Sequence, residues 1–380
     1  MRPRGYRQLA YALCPAALAL VAPALAAVAL SGCGGVSVSG AAVISGDQLT
    51  VYSSLPLQGP LAAASQQIVG GEKLALYDAG GHVGSYRVSY FSLDDANPKT
   101  GQWDPGITAS DAKTAAQDTT TIAYLGDYDS AATAISLPIM NGAGILQISP
   151  ASQYVGLTSS LDAGQDEPER FYPTGHRTFG RLMPADPVQA SAQVKLMSAL
   201  AVKRLYVLDN QDPFQEPLAR IVGQDAASAG IHVLAQDNVD TASSSEFGSE
   251  VSKIAESGAQ AVFFSGTTAP GVVALFRQLH AADPHLLLLG SDTALDPATA
   301  AQLGSAGAST YVATPLLPAS AYPAVAQGVL RDYQARFHET PTANVLYGYE
   351  SMTAVLDAIR NAGSHGKPPI RLSAALTGGR

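Results

Sequence analysis

The chain has 380 residues, of which 47% are hydrophobic and only 14% charged, and its net charge is −9 at neutral pH. This composition supports a large buried core and excludes a disordered chain. The acid excess argues against a nucleic-acid partner, because phosphate binding needs a basic surface. The two cysteines are Cys14 and Cys33, so the body beyond them has neither a disulfide nor thiolate chemistry.

At the N-terminus, Arg2, Arg4 and Arg7 precede a run from Leu9 to Leu30 without a charged residue, followed by Ser31-Gly32-Cys33. A basic start, an apolar middle and small residues at the end are the parts of a secretory signal. The cysteine placed directly after them resembles the lipobox of bacterial lipoproteins. That resemblance implies a signal peptide over 1–32, lipidation at Cys33, and a Gly/Ser-rich tether over 33–47. An uncleaved membrane anchor is the other reading of this length of apolar chain, although Pro15 and Pro23 interrupt it.

From Gln48 onward, β-type runs alternate with helix-type segments. Strands are predicted at Leu49–Ser53, Tyr86–Leu93, Thr121–Gly126, Ile145–Ser149, Arg204–Leu208, Ile231–Gln236, Ala261–Ser265, Leu286–Gly290 and Ser309–Thr314. Runs such as Ala261-Val262-Phe263-Phe264 are apolar without alternation, the pattern of parallel strands covered on both faces. Between them, a helix from Leu61 stops at Gly80-Gly81, and one from Asn344 to Ala362 stops at Gly363. A third opens at Asp186-Pro187-Val188-Gln189, read as an N-cap with a capping-box glutamine. Repeated β-α-β-α predicts an α/β fold of two doubly wound parallel-sheet lobes. Gly101-Gln102-Trp103-Asp104-Pro105-Gly106 reads as an ordered loop inserted in the first lobe.

Catalytic motifs are missing from the sequence. The first strand-to-helix turn, Leu55-Pro56-Leu57-Gln58-Gly59-Pro60, carries one glycine where a dinucleotide fingerprint needs three. No Walker loop or nucleophile elbow occurs. The seven histidines are scattered singly, which argues against a metal site. No cofactor is expected. Carboxylates cluster at Asp94-Asp95 and at Asp127 and Asp129. A calcium loop or an acid–base pair is one reading of them, and helix caps facing water the other.

Motifs in a fixed order then carry a family likeness. Leu49 to Pro60, Leu93-Asp94-Asp95-Ala96, Gly126-Asp127-Tyr128-Asp129-Ser130 and Ile148-Ser149-Pro150-Ala151-Ser152 are its first half. Phe179 to Asp186, Leu289-Gly290-Ser291-Asp292 and the helix from Tyr347 to Gly363 complete it. Together they resemble the type I periplasmic binding proteins, in the branch that binds leucine, isoleucine and valine for ABC importers. The resemblance implies a hinged, two-lobed fold with an N-terminal lobe over 48–180 and 315–380 and a C-terminal lobe over 181–314. It assigns Ser130, Ala151 and Ser152 to a ligand α-carboxylate and Asp292 to its ammonium group. Where branched-chain binders have aromatic residues, this chain has the region of Ala64 and Thr267 or Thr268. Thr267 therefore joins the expected ligand contacts, in a larger or more polar pocket. Ser130 and Ser152 can also be read as helix N-caps, and Asp292 as a cap of the turn before Pro297.

These readings imply a non-enzymatic, monomeric receptor on the extracytoplasmic face of the cell membrane, held there by its lipid anchor. It would capture an amino acid or related zwitterion or carboxylate and deliver it to an ABC permease. A ligand sensor of the same fold is the alternative function.

Overall fold

The structure, a computed structural model, describes residues 46–364, all of which fall in one compact unit. The expected signal peptide, Cys33, and the tether up to residue 45 lie outside the described residues, as do residues 365–380.

The first sheet contains β1 (Gln48–Leu55), β2 (His82–Val83), β3 (Tyr86–Asp94), β4 (Thr121–Gly126), β5 (Leu146–Ser149) and β6 (Phe179–Arg181), in the order β2-β3-β1-β4-β5-β6. All pairs are parallel except β2 with β3. The helices α1 (Ala62–Asp78), α2 (Pro105–Gln117) and α3 (Ser130–Gly142) connect its strands. The second sheet contains β7 (Arg204–Asp209), β8 (His232–Asn238), β9 (Ala261–Ser265), β10 (Leu287–Ser291) and β11 (Thr310–Ala313), in the order β11-β10-β9-β7-β8 and parallel throughout. Around it run α4 (Asp186–Ala199), α5 (Glu216–Ser228), α6 (Gly248–Ser257), α7 (Pro270–Ala282) and the short α8 (Pro297–Ala300).

The nine predicted strands all form. Ala261 to Phe264 are completely buried, because β9 is central in its sheet and covered on both faces. The strands β2 and β6 were not anticipated; two and three residues are too short for a periodic signal.

After β11 the chain forms α9 (Ala324–Phe337) and α10 (Asn344–Ser364). Met352, Val355, Leu356 and Ile359 of α10 share a core with Leu49, Val51, Val88 and Ile148 of the first sheet. This docking requires two glycines. A Cβ on Gly348 would stand 1.9 Å from the Ile68 carbonyl oxygen, and one on Gly71 2.1 Å from that of Val345. The backbones of α1 and α10 therefore touch directly. The loop around Trp103 is ordered by a similar approach, since Gly59 and Gly101 both adopt positive φ and a Cβ on Gly59 would lie 2.3 Å from the Gly101 oxygen. A β-bridge joins Ala96 to Trp103.

The helix α4 departs from its expected capping. Ala185 is the N-cap, and Asp186 is already helical. The Asp186 carboxylate accepts from the Val155 amide at 3.1 Å, and Gln189 turns away from the helix start to Asp292. Both side chains are used between distant segments, which the local capping pattern could not reveal.

Overpacking a close helix contact costs about 1–3 kcal/mol, whereas alanine at an uncrowded helical glycine adds helix propensity. Gly348→Ala is expected to lower the denaturation midpoint, while Gly328→Ala, whose added Cβ meets nothing nearer than 3.8 Å, leaves it unchanged or raises it. Equal midpoints for the two variants in urea would contradict the backbone contact.

Candidate ligand cleft

In open parallel sheets ligands bind beyond the carboxyl ends of the strands, and here those ends carry the polar side chains. In the first lobe, β3 ends at Asp94. Its carboxylate accepts from the amides of Leu57 at 2.9 Å and Ala96 at 3.0 Å and so closes the turn after β1. After β4 come Asp127, Tyr128 and Asp129, and α3 begins at Ser130. After β5 the chain passes through Ala151, Ser152 and Gln153. In the second lobe, β7 leads to Asn210 and Asp212, β9 to Thr267 and Thr268, and β10 to Asp292 and Thr293.

Asp292 joins the two sets. Gln189 of α4 donates to its Oδ1 at 2.6 Å, and Gln153 of the first lobe donates to its Oδ2 at 3.1 Å. Burial pushes the Asp292 carboxyl upward, and the two amides oppose that shift. Close by, Tyr154 packs edge-on to Phe214 at 5.2 Å between ring centroids, and Arg220 pairs with Asp162. The segment after β5 is therefore seated against the second lobe. A cavity of about 690 Å³ lies beside it, lined by Tyr154, Gly164, Asp209, Gln211 and Arg220 among others. A second cavity, of about 700 Å³, is lined by Arg204, Gln260 and Leu287, at the amino ends of the strands and thus away from the cleft.

The sequence-predicted residues separate into three groups. Ser130 and Asp292 are linked through Gln153: the Ser130 hydroxyl accepts from the amides of Gln153 at 3.2 Å and Tyr154 at 3.1 Å, leaving its own proton to donate. It does not cap α3, whose N-cap is Asp129. Nor does Asp292 cap the turn before Pro297, since Asp296 fills that role through the Thr299 amide at 2.7 Å. Ala151 and Ser152 are buried beneath this layer. Their amides face the Ser149 hydroxyl, and the Ser152 hydroxyl shares a 2.6 Å bond with Thr133. Thr267 lies on the exposed rim of the second lobe, where its hydroxyl accepts weakly from Asn210 at 3.4 Å. Gln153 was not foreseen, and Gln189, Asp129 and Tyr128 were read only as a capping glutamine, as part of an acidic cluster and as part of a family motif. Their recruitment depends on contacts between segments up to 139 residues apart.

The acidic clusters do not behave as water-facing caps throughout. Asp95 and Asp127 are completely buried. Asp127 accepts from Tyr124 at 2.9 Å and from Ser136, while one oxygen of Asp95 has no partner. Burial raises both carboxyls, and for Asp95 the neighbouring Asp127 and Asp129 add to the rise. Burial, with the charge of Asp212 across the cleft, pushes Asp129 up to about 7. The described residues contain no cluster of His, Cys, Asp and Glu arranged to hold a metal ion, and none of their helices is long and apolar enough to cross a membrane.

Two parallel-sheet lobes with strand ends facing one polar cleft define the class of two-lobed solute-binding proteins. The sequence profile of the periplasmic binding protein family matches residues 53–378. The chain belongs to that family, in its type I branch. It is 26% identical over 255 residues to the Leu/Ile/Val-binding protein homolog 3 of Brucella melitensis, a match that covers 64% of this chain and 61% of that protein's length. Two solved structures share the fold. One is a leucine-binding protein, LivK, of Thermotoga maritima, with TM-score 0.67, 20% identity and 83% of each chain covered. The other is an ABC transporter solute-binding protein of R. palustris in complex with benzoate, with TM-score 0.66, 18% identity, and 87% of this chain and 86% of that chain covered.

The bond from Gln153 to Asp292 has a measurable role. A neutral donor to a carboxylate contributes about 1.5–3 kcal/mol, so Gln153→Ala should favour separation of the lobes and increase the radius of gyration in solution scattering. Gln189→Ala, whose bonds stay within the second lobe, should leave the radius unchanged; an equal response in both variants would refute the cross-lobe role.

A buried carboxyl also sets the pH dependence of stability. Glu72 of α1 is completely buried, accepts from Tyr90, and is pushed up to about 8 by burial. Its pKa is thus higher folded than unfolded, and the folded state binds the extra proton between these values. This contribution is full below the unfolded value and is lost as pH rises through about 8. Stability should therefore fall by about 1 kcal/mol between pH 7 and 9 on account of this group. Glu72→Gln should flatten that part of a thermal melting profile, and an unchanged slope would count against it.

Proposed function

We propose that the protein is the solute receptor of an ABC importer. It captures an amino-acid-like small molecule between its lobes and presents the closed form to a membrane permease. The observation that carries this reading is the convergence of both sheets on one cleft bridged by Gln153 and Asp292. A carboxylate on one lobe and the Ser130 hydroxyl on the other suit a ligand that replaces the Gln153 bond and holds the lobes together. Ligand contacts made in the closed state select that state. Thr267 on the rim stands where side-chain specificity would be set. Ala151 and Ser152 shape the floor from below.

The Leu-Ser-Gly-Cys sequence supports lipidation at Cys33 and residence on the extracytoplasmic face of the membrane. A receptor that works by handing over its solute gains from a tether that keeps it beside its permease. Two acyl chains provide such a hold where one does not. A monomer suffices for this role, because the cleft is built within one chain.

A thermal-shift screen of the full chain against amino acids, amides, short peptides and carboxylates tests the proposal. A ligand at one hundred times its dissociation constant stabilises by about 2.7 kcal/mol, a clear rise in midpoint. Binding of that ligand should weaken in Asp292→Ala and in Ser130→Ala. A screen without any hit, or a hit indifferent to both substitutions, would overturn the assignment.

A further inference from the structure

The place that would receive a ligand carboxylate is already occupied by a carboxyl group of the protein. The free amides at the start of α3 favour an anion, yet Asp129 is the N-cap there, and its side chain makes no capping bond. One oxygen of that carboxylate is shut off from water without a hydrogen-bond partner. Asp212 of the opposite lobe and Tyr128 lie close enough to act on it or be acted on by it, and Tyr128 also senses Asp292 and Asp296. Carboxylates of both lobes thus surround the Tyr128 hydroxyl. A second, independent observation comes from Gln189, which is 7% exposed. Its amide nitrogen donates to Asp292 and to the Ala313 carbonyl, and its carbonyl oxygen is left without any donor.

The nearby arginines do not offset this charge. Arg181 donates to the Tyr154 carbonyl at 2.8 Å and to the Thr158 hydroxyl at 2.9 Å. Arg220 donates to the Asp162 carbonyl at 2.7 Å and pairs with the carboxylates of Asp162 and Glu216. An arriving carboxylate would meet the Asp129 carboxyl beside the Ser130 proton and the first amides of α3. An arriving ammonium or amidinium would satisfy acceptors that now lack donors.

We infer that the cleft selects a small organic cation, an amine without a free carboxylate, held between Asp129 and Asp212 at one end and Asp292 and Gln189 at the other. This rests on the receptor reading above and narrows its ligand class: the ammonium half of an amino acid is retained and the carboxylate half refused. Charged donors to carboxylates make the stronger hydrogen bonds, and the pairing removes the cost of leaving buried acceptors unmatched.

Isothermal titration of the full chain at low salt and about pH 8, with 1,4-diaminobutane, L-lysinamide, L-leucine and benzoate as probes, decides the matter. At least one of the two cations should bind, while L-leucine and benzoate do not. Asp129→Asn should weaken the bound cation at least tenfold, as should Asp212→Asn from the other lobe. The second variant keeps the test valid if the first does not fold. Binding of L-leucine or benzoate with neither cation would overturn the inference and leave the receptor reading standing. A cation bound equally by both variants would also overturn it. Failure of all four probes removes the cation class, and the receptor reading itself falls only if the wider screen is empty too.

Discussion

Asp292 is held by uncharged amides from both sides, and much of the cleft's behaviour follows from that choice. A buried carboxylate needs donors. An arginine across the lobes would have satisfied it and fixed the lobes in place, because breaking a buried ion pair leaves a charge unmatched. Gln153 and Gln189 supply N–H groups without a countercharge. The contact joins the lobes through one hydrogen bond without an ion pair to lock them. The residual negative charge remains available to whatever enters.

The scaffold explains why those side chains meet. Both sheets are parallel apart from β2, so each strand delivers its carboxyl end to the same side and each helix returns the chain behind it. The close seam of α1 and α10, at Gly71 and Gly348, brings the last described helix onto the first sheet. The chain thus crosses from the first sheet to the second and comes back. The crossings fall near Phe179–Arg181 and after Ala313, with polar strand ends between. Burial of Asp95 and Asp127 in the first lobe costs solvation and raises both carboxyls.

The fold was legible because its signals are local. Apolar runs the length of a strand, glycines after helices and prolines at helix starts each act over a few residues, and nine strands could be read from them. Ser130 and Asp292 were singled out by the family likeness and by their place after strand ends, where ligands of open parallel sheets bind. The capping box read at Asp186 and Gln189 failed because tertiary partners outbid it. Asp186 binds the Val155 amide and Gln189 binds Asp292, 103 residues away. Likewise, the burial of Asp95 and Asp127 could not be told from solvent-facing capping, since both begin with a carboxylate at a strand end.

The sequence by itself determined the class of the molecule: parallel α/β lobes and a family likeness spread in order along the chain. These depend on composition, periodicity and short motifs, which involve neighbours in the chain. Only the tertiary structure decided which carboxylates share the cleft, which amides answer them and which acceptors are left unanswered. Charge–charge and hydrogen-bond terms depend on distance in space and on exclusion of water. Neither exists until segments more than one hundred residues apart have packed together.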